Sequence, residues 1–224
     1  MSRSYGCIAF TDSVDAEQES YGSAEFFRRL VATRAGSREA DSRDAGSREP
    51  DARDPDPLGP REAQFLRTRD SFYLSTVGET GWPYVQFRGG PAGFIRVDDE
   101  HSFSWADYRG NLQHVSTGNL RTDARVAIIA MDYPTRRRLK IFGTARVVRL
   151  EDDPIRVEAL RHPDDPDAVV ERAVTVTVEA FDWNCPQHIT PRYTAAELQD
   201  AVGPLREQIA ALTRENDRLR QAAL

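Results

Sequence analysis

The residues with chemistry to offer are cations placed where candidate strands end. Arg109, Gly110 and Asn111 stand where the strand-like SFSWAD gives way to NLQHVSTGNL. Backbone N–H groups at a helix start, an arginine fork and an asparagine amide would converge there on one anion, in outline a phosphate. The same turn also reads as a plain chain reversal, with Gly110 supplying an unusual dihedral and Asn111 capping the helix. VQFRGG, residues 85–90, ends another strand in Arg88 and two glycines, and PTRRRLKIFG puts Arg136, Arg137, Arg138 and Lys140 at the mouth of a third. Three basic sites at strand ends of an otherwise acidic chain imply an anionic ligand. In a strand Arg138 and Lys140 share one face and Leu139 and Ile141 the other. For Arg136 a solvated hairpin loop accounts for the charge equally well.

FDWNCPQHITPRYT, residues 181–194, gathers Trp, Asn, Cys, Gln, His, Arg and Tyr into a loop stiffened by Pro186 and Pro191. Such a loop suits an aromatic face and amide donors set against a flat heterocycle. Cys185 and His188 are three apart, but no partner carboxylate or oxyanion donor can be picked out, and a serine elbow, an HExxH and a phosphate-binding P-loop are all missing. The pairs Asp98–Asp99, Asp152–Asp153 and Asp164–Asp165 lie in turns, where solvated aspartate is the ordinary finding. No catalytic residue and no metal site is assigned.

These residues must be positioned by strands. SFYLSTVG, PYVQFRGG, GFIRVDD, SFSWAD, RVAIIAMDY, RLKIFGTARVVRL and RAVTVTVEAFDW are seven candidates, rich in β-branched and aromatic residues and punctuated by Gly, Pro and Asp. ETGWP joins the first two as a hairpin. Short helical stretches are expected only at 110–119 and 153–160, too little for parallel crossovers, so the pattern predicts an antiparallel barrel. PREAQFLRTR before it reads as a short helix with Pro60 in its first turn. Residues 14–33 have amphipathic spacing broken at Gly22, with Ser23 placed to cap the second half.

Between arm and barrel, AGSREADSRDAGSREPDARD repeats a ten-residue unit without a large apolar side chain until Leu58, so 34–58 is read as a flexible insertion. The expected organisation is an N-terminal helical arm at 1–33, the insertion at 34–58, a barrel at 59–193 and a C-terminal helix at 194–224. That helix opens on a capping box, Thr194 and Glu197. Leu198, Val202, Leu205, Ile209, Leu212, Asn216 and Leu219 follow the alternating spacing of a heptad seam, with Glu215 and Arg220 flanking it. A short parallel coiled coil fits this stripe, despite Gly203 and Pro204 in its first turns; so does a helix packed on its own barrel.

Composition closes off whole classes of function. With 224 residues and 39% hydrophobic content the chain can form one ordinary core. A net charge of −6 argues against general affinity for nucleic acid, which requires clustered cations. Two distant cysteines, Cys7 and Cys185, form neither a disulfide framework nor a zinc motif. There is no apolar run of about 18 residues and no signal-like N-terminus, so a cytoplasmic protein without membrane contact is expected.

Taken in order, SFYLSTVGETGWPYVQFRGGPAGFIRVDD, DYRGNLQHVSTGNL, RVAIIAMDYPTRRRLKIFGTARVV and FDWNCPQHITPRYT resemble the FMN-binding split-barrel family related to pyridoxamine 5'-phosphate oxidase. More narrowly, the likeness is to a bacterial branch that opens with a segment similar to IAFTDSVDAEQESYGS. The resemblance implies a mainly β fold, an antiparallel split β-barrel with short peripheral helices and a C-terminal helix. It implies a homodimer with two FMN sites at the subunit interface. Gln86, Phe87 and Arg88 would lie along the isoalloxazine edge. Ser104, Trp105, Arg109 and Asn111 would hold the ribityl phosphate, Arg138 would reach the flavin from the other subunit, and Trp183 and Asn184 would close over the ring. At the phosphate turn the oxidases carry an Arg-Lys pair where this chain has Gly110 and Asn111. The implied activity is therefore an FMN-dependent oxidoreductase acting on an unidentified small molecule, with a flavin-storing module, or a protein using F420 or haem, as the alternatives.

Overall fold

The computed structural model describes residues 2–31 and 54–222. They fall into two units, one drawn from the described residues up to 132 with 137–186 and one of 133–136 with 187–222.

The first unit is built on a seven-stranded antiparallel sheet. Its strands are β1 (Ser71–Val77), β2 (Pro83–Gly89), β3 (Arg96–Val97), β4 (Ser102–Tyr108), β5 (Arg125–Asp132), β6 (Arg137–Arg149) and β7 (Val170–Trp183). Their spatial order is β2-β1-β5-β6-β7-β4-β3, an open sheet whose edges β2 and β3 do not pair with each other. All seven expected strands are present, and the third shrinks to two residues. Tertiary pairing decides that, because β3 bonds only to β4, through Arg96–Ser104 and Val97–Phe103.

Alternation drives the folding. In β1, Phe72, Leu74 and Thr76 turn inward and Tyr73 and Ser75 outward. Their inward row continues across the sheet through Ala130, Leu139 and Trp183, which stand opposite one another in register. Phe72, Phe94, Phe103, Trp105, Leu139, Ile141 and Val176 fill the core, with the Trp105 ring edge-on to Phe72 at 5.0 Å. A second cluster, Val157, Leu160, Val170 and Ala173, packs with Ala106. Replacing a ring such as Phe72 with alanine in so closed a core costs about 3–5 kcal/mol.

Helices α1 (Arg3–Ala9), α2 (Asp12–Ser20), α3 (24–31) and α4 (Pro60–Arg67) precede β1. The expected break at Gly22 is present, with Gly22 at φ 71°. Ser23 does not cap α3; its hydroxyl turns back to the Gln18 carbonyl. α1 packs on the outer face of the sheet, where Tyr5 stacks on Phe142 at 5.1 Å and Lys140 lies over the Tyr5 ring. The insertion expected at 34–58 lies, over 34–53, outside the described residues. Residues 54–58 belong to the body: Asp56 is buried, its N–H donates to the Glu179 carbonyl at 3.0 Å, and its carboxylate accepts from Ser2 Oγ and the Phe181 N–H.

Two short helices interrupt the strands, α5 (Val115–Asn119) and α6 (Pro154–Glu158). Between Phe142 and Gly143 the β6–β7 register shifts. In the second unit α7 (Ala195–Ala222) opens on the expected capping box, with the Thr194 N–H donating to Glu197 Oε2 at 2.8 Å and the Glu197 N–H to Thr194 Oγ1 at 3.2 Å. Within the same unit the Arg192 guanidinium lies over the Tyr133 ring. Among the described residues no helix is long and apolar enough to cross a membrane.

The bulge is where glycine is required for space. A Cβ on Gly143 would run into the Thr177 carbonyl oxygen and come within 3.0 Å of Val176 Cγ1. Backbone cannot yield as a flexible side chain would, so Gly143→Ala is expected to destabilise by about 1–3 kcal/mol. Chemical denaturation reads this as a lower midpoint at unchanged slope.

Candidate functional site

Asp107 sits two residues beyond Trp105 on β4, so the strand period turns its carboxylate toward the same inner face as the core. It is 4% exposed. A carboxylate taken out of water is tolerated only with partners. Here there are two: Oδ1 accepts from Arg88 Nη1 on β2 at 2.7 Å, and Oδ2 from Arg172 Nε on β7 at 2.9 Å. The network continues outward. Arg172 Nη2 donates to Glu171 Oε2 at 3.0 Å, and Arg109 Nε to Glu171 Oε1 at 2.8 Å. The hydrogen bond from Arg109 holds the Glu171 carboxyl below its usual range, with burial opposing. Three guanidinium groups thus face two carboxylates, leaving one positive charge in excess. Among the described residues, Arg88 Nε is buried without an acceptor.

Arg88, Asp107 and Arg172 stand at a cleft lined also by Tyr84, Gln86, Asn111, His114 and Ser116. Ser116 Oγ donates to Gln86 Oε1 at 2.9 Å, and Arg172 Nη1 lies 3.3 Å from His114 Nδ1. An adjoining cavity of about 570 Å³ shares His114, Thr117 and Arg172 with the cleft and adds Arg109, Arg121 and Arg149 to its wall. That volume lies within the ordinary range for small-molecule sites, roughly 300–1,000 Å³.

The turn after β4 differs from its expected form. Helix α5 begins at Val115 rather than near Gly110, and its N-cap position is His114, whose side chain makes no capping bond. Asn111 Oδ1 instead accepts from the Gln113 N–H at 3.2 Å, closing a local turn. The left-handed residues are Leu112 at φ 63° and His114 at φ 52°; Gly110 is not among them. Non-glycine residues in that region each store about 1–3 kcal/mol and persist where the surroundings hold them.

The structure brings some of the expected site residues together and separates others. Gln86, Arg88 and Asn111 line the cleft, and Arg109 joins them through Glu171. Phe87 follows the opposite strand parity, is 59% exposed and meets Tyr73 on the outer face. Ser104 and Trp105 are inside the body, because β4 is covered on both faces. Ser104 bonds Asp98 and Thr175, and Trp105 is 1% exposed in the core, so within this chain neither reaches the cleft. Trp183 is the last residue of β7 and not part of a free loop. Its Nε1–H donates to Glu62 at 2.7 Å and Arg61 lies over its ring. Asn184 comes next, its N–H donating to the Arg138 carbonyl and its own side chain turned to the Cys185 N–H. Arg138 has Nε buried without an acceptor among the described residues, on the sheet face opposite to Leu139 and hence to Arg88. The Arg138, Trp183 and Asn184 group is separated from Arg172 by the length of β7, about 35 Å of strand contour.

Asp107, Arg172, His114 and Ser116 were not singled out from sequence. A signal existed for two of them: Asp107 shares the parity of Phe103 and Trp105, and Arg172 that of Val174 and Val176, so each is a charge on a core face. Such a charge requires a partner of opposite sign.

The family model for pyridoxamine 5'-phosphate oxidase matches residues 58–181, which hold the whole network and cleft. HupZ of Group A Streptococcus superposes with a TM-score of 0.45 at 14% identity, over 61% of this chain and 99% of that one. A Clostridium acetobutylicum protein related to general stress protein 26, of the pyridoxinephosphate oxidase family, gives 0.43 at 14% identity over 61% and 94%. An FMN-binding protein of Syntrophomonas wolfei gives 0.42 at 8% identity over 55% and 86%. Comparison with curated protein sequences found no match. The family match spans more than half of the chain and every strand that builds the cleft: the chain belongs to the pyridoxamine 5'-phosphate oxidase family.

Proposed function

We propose that this protein is an FMN-dependent oxidoreductase acting on a small molecule, a homodimer whose two flavin sites lie between subunits. The observation that carries the reading is the net-cationic Arg88–Asp107–Arg172–Glu171–Arg109 network at the cleft, with a buried Arg88 N–H still free to donate.

The donor set fits a flavin nucleotide. A phosphate is attracted by the excess positive charge and suits planar guanidinium forks, which give two parallel hydrogen bonds where lysine gives one. Arg88 and Arg172 would hold the phosphate, already oriented by Asp107, and Ser116 and His114 supply further polar contacts beside them. Because both arginines are fixed before a ligand arrives, little side-chain entropy is lost on binding. When bound, FMN supplies the hydride or electron transfer, and the protein supplies orientation and charge.

A second subunit is supported by what the sheet leaves uncovered. Edge strand β2 and its neighbour expose Val85, Phe87 and Tyr73 on one face, with Trp82 at the hairpin 77% exposed. An apolar edge of this kind is covered by a partner in soluble proteins or else promotes aggregation. In this reading Arg138, with an unpartnered Nε among the described residues and on the sheet face opposite to Arg88, serves the site of the other protomer beside Trp183 and Asn184.

The absorption spectrum of the purified protein is the first test. Bound FMN that bleaches under NAD(P)H without oxygen and recovers in air is expected. Flavin inert to every donor would reduce the reading to a storage module, and a deazaflavin or haem spectrum would replace the cofactor. Substitution gives the second test. A hydrogen bond to a charged group contributes about 1.5–3 kcal/mol, so Arg88→Ala and Arg172→Ala should each raise the FMN Kd about 10- to 100-fold. Arg125→Ala, which removes an exposed pair with Asp123, should leave it unchanged. Equal effects from all three would rule out the network as the phosphate site.

A further inference from the structure

The C-terminal helix carries a seam that the family region does not include. α7 runs 28 residues, about 42 Å, and none of them is buried. Written as heptads, its a positions are Val202, Ile209 and Asn216 and its d positions Leu198, Leu205, Leu212 and Leu219. Leu205, Ile209, Leu212 and Leu219 are 55–64% exposed. The f positions opposite them, Asp200, Glu207, Arg214 and Gln221, are all polar. Gly203 and Pro204 fall at b and c, away from the seam, and the helix runs through them without interrupting the stripe.

We propose that α7 pairs with the α7 of a second copy of this chain as a parallel, in-register, two-stranded coiled coil. Three features choose this occupant. β-Branched residues at a with leucine at d favour two strands and parallel packing. Asn216 selects orientation: in a parallel pair it meets its own counterpart and the two amides bond, whereas in an antiparallel pair an a residue faces a d leucine and the amide is left unsatisfied. Glu215 at g and Arg220 at e are complementary across a parallel pair. Glu215 now bonds Arg218 of its own helix at 2.8 Å, an exposed pair whose exchange for an interhelical one costs little.

A three-heptad seam is short for an independent coiled coil. A second contact between the same two chains raises the effective concentration of the helices to the millimolar range, enough for a weak seam to close. A parallel in-register pair is two-fold symmetric, as a closed dimer of the sheet unit would be. The inference takes that dimer from the proposed function, but its residues are separate from the cleft.

Oxidative cross-linking of the full chain tests it. Cys7 and Cys185 are exposed and are first replaced, Cys7→Ser and Cys185→Ser. In that background Leu219→Cys, at d, is compared with Glu207→Cys, at f. The d-position variant should form disulfide-linked dimers at least tenfold faster, and adding Leu212→Glu should abolish the difference while leaving flavin content unchanged. Equal rates at the two positions overturn the coiled coil. Dimer mass and bound flavin, measured on the same preparations, keep the two readings apart: equal rates in a flavin-loaded dimer overturn the coiled coil alone, and fast d-position linkage in a protein that takes up no flavin overturns the flavin reading alone.

Discussion

One carboxylate organises the candidate site. Asp107 points into the inner face of the sheet unit, where an unpaired charge would be prohibitively costly, and two arginines from strands distant in sequence meet on its two oxygens. The pairing does two things at once. It ties β2, β4 and β7 together through side chains, and it holds two guanidinium groups in fixed orientation with more donors than acceptors. Removing the aspartate would leave two cations repelling each other in a partly dry setting. Removing either arginine would leave the carboxylate half-satisfied. Stability and ligand-binding capacity therefore rest on the same atoms.

The long strands carry this arrangement. β6 and β7 pair along almost their whole length, and the register shift at Gly143 bends them where a side chain at that position would collide with the Thr177 carbonyl. β7 delivers Arg172 at one end and Trp183 at the other, with the aromatic end fixed by Glu62 and Arg61 of α4. The two ends of the strand thus hold two separate sets of polar groups.

The loop between β4 and β5 takes a path that its residue types did not indicate. Asn111 lines the cleft, and Arg109 lines the adjoining cavity and meets the network through Glu171. Yet the helix starts later, and the left-handed positions fall on Leu112, where local preference does not put one, and on His114. Packing of α5 against β1 and β2, with Asn119 bonded to Thr76 and Ser116 to Gln86, imposes that path against the propensity of Leu112.

The strands, the β1–β2 hairpin, the capped C-terminal helix and the basic strand ends were all legible in the sequence, because alternation, turn chemistry and capping are local. So was the heptad stripe. The strand order, the burial of Ser104 and Trp105, the outward turn of Phe87 and the opposite faces of Arg88 and Arg138 were decided only when the sheet assembled. These depend on which strand lies next to which, and on parity summed over several pairings. Arg172 stayed hidden for the same reason: its partner Asp107 is 65 residues away, and only the β4–β7 pairing brings them together.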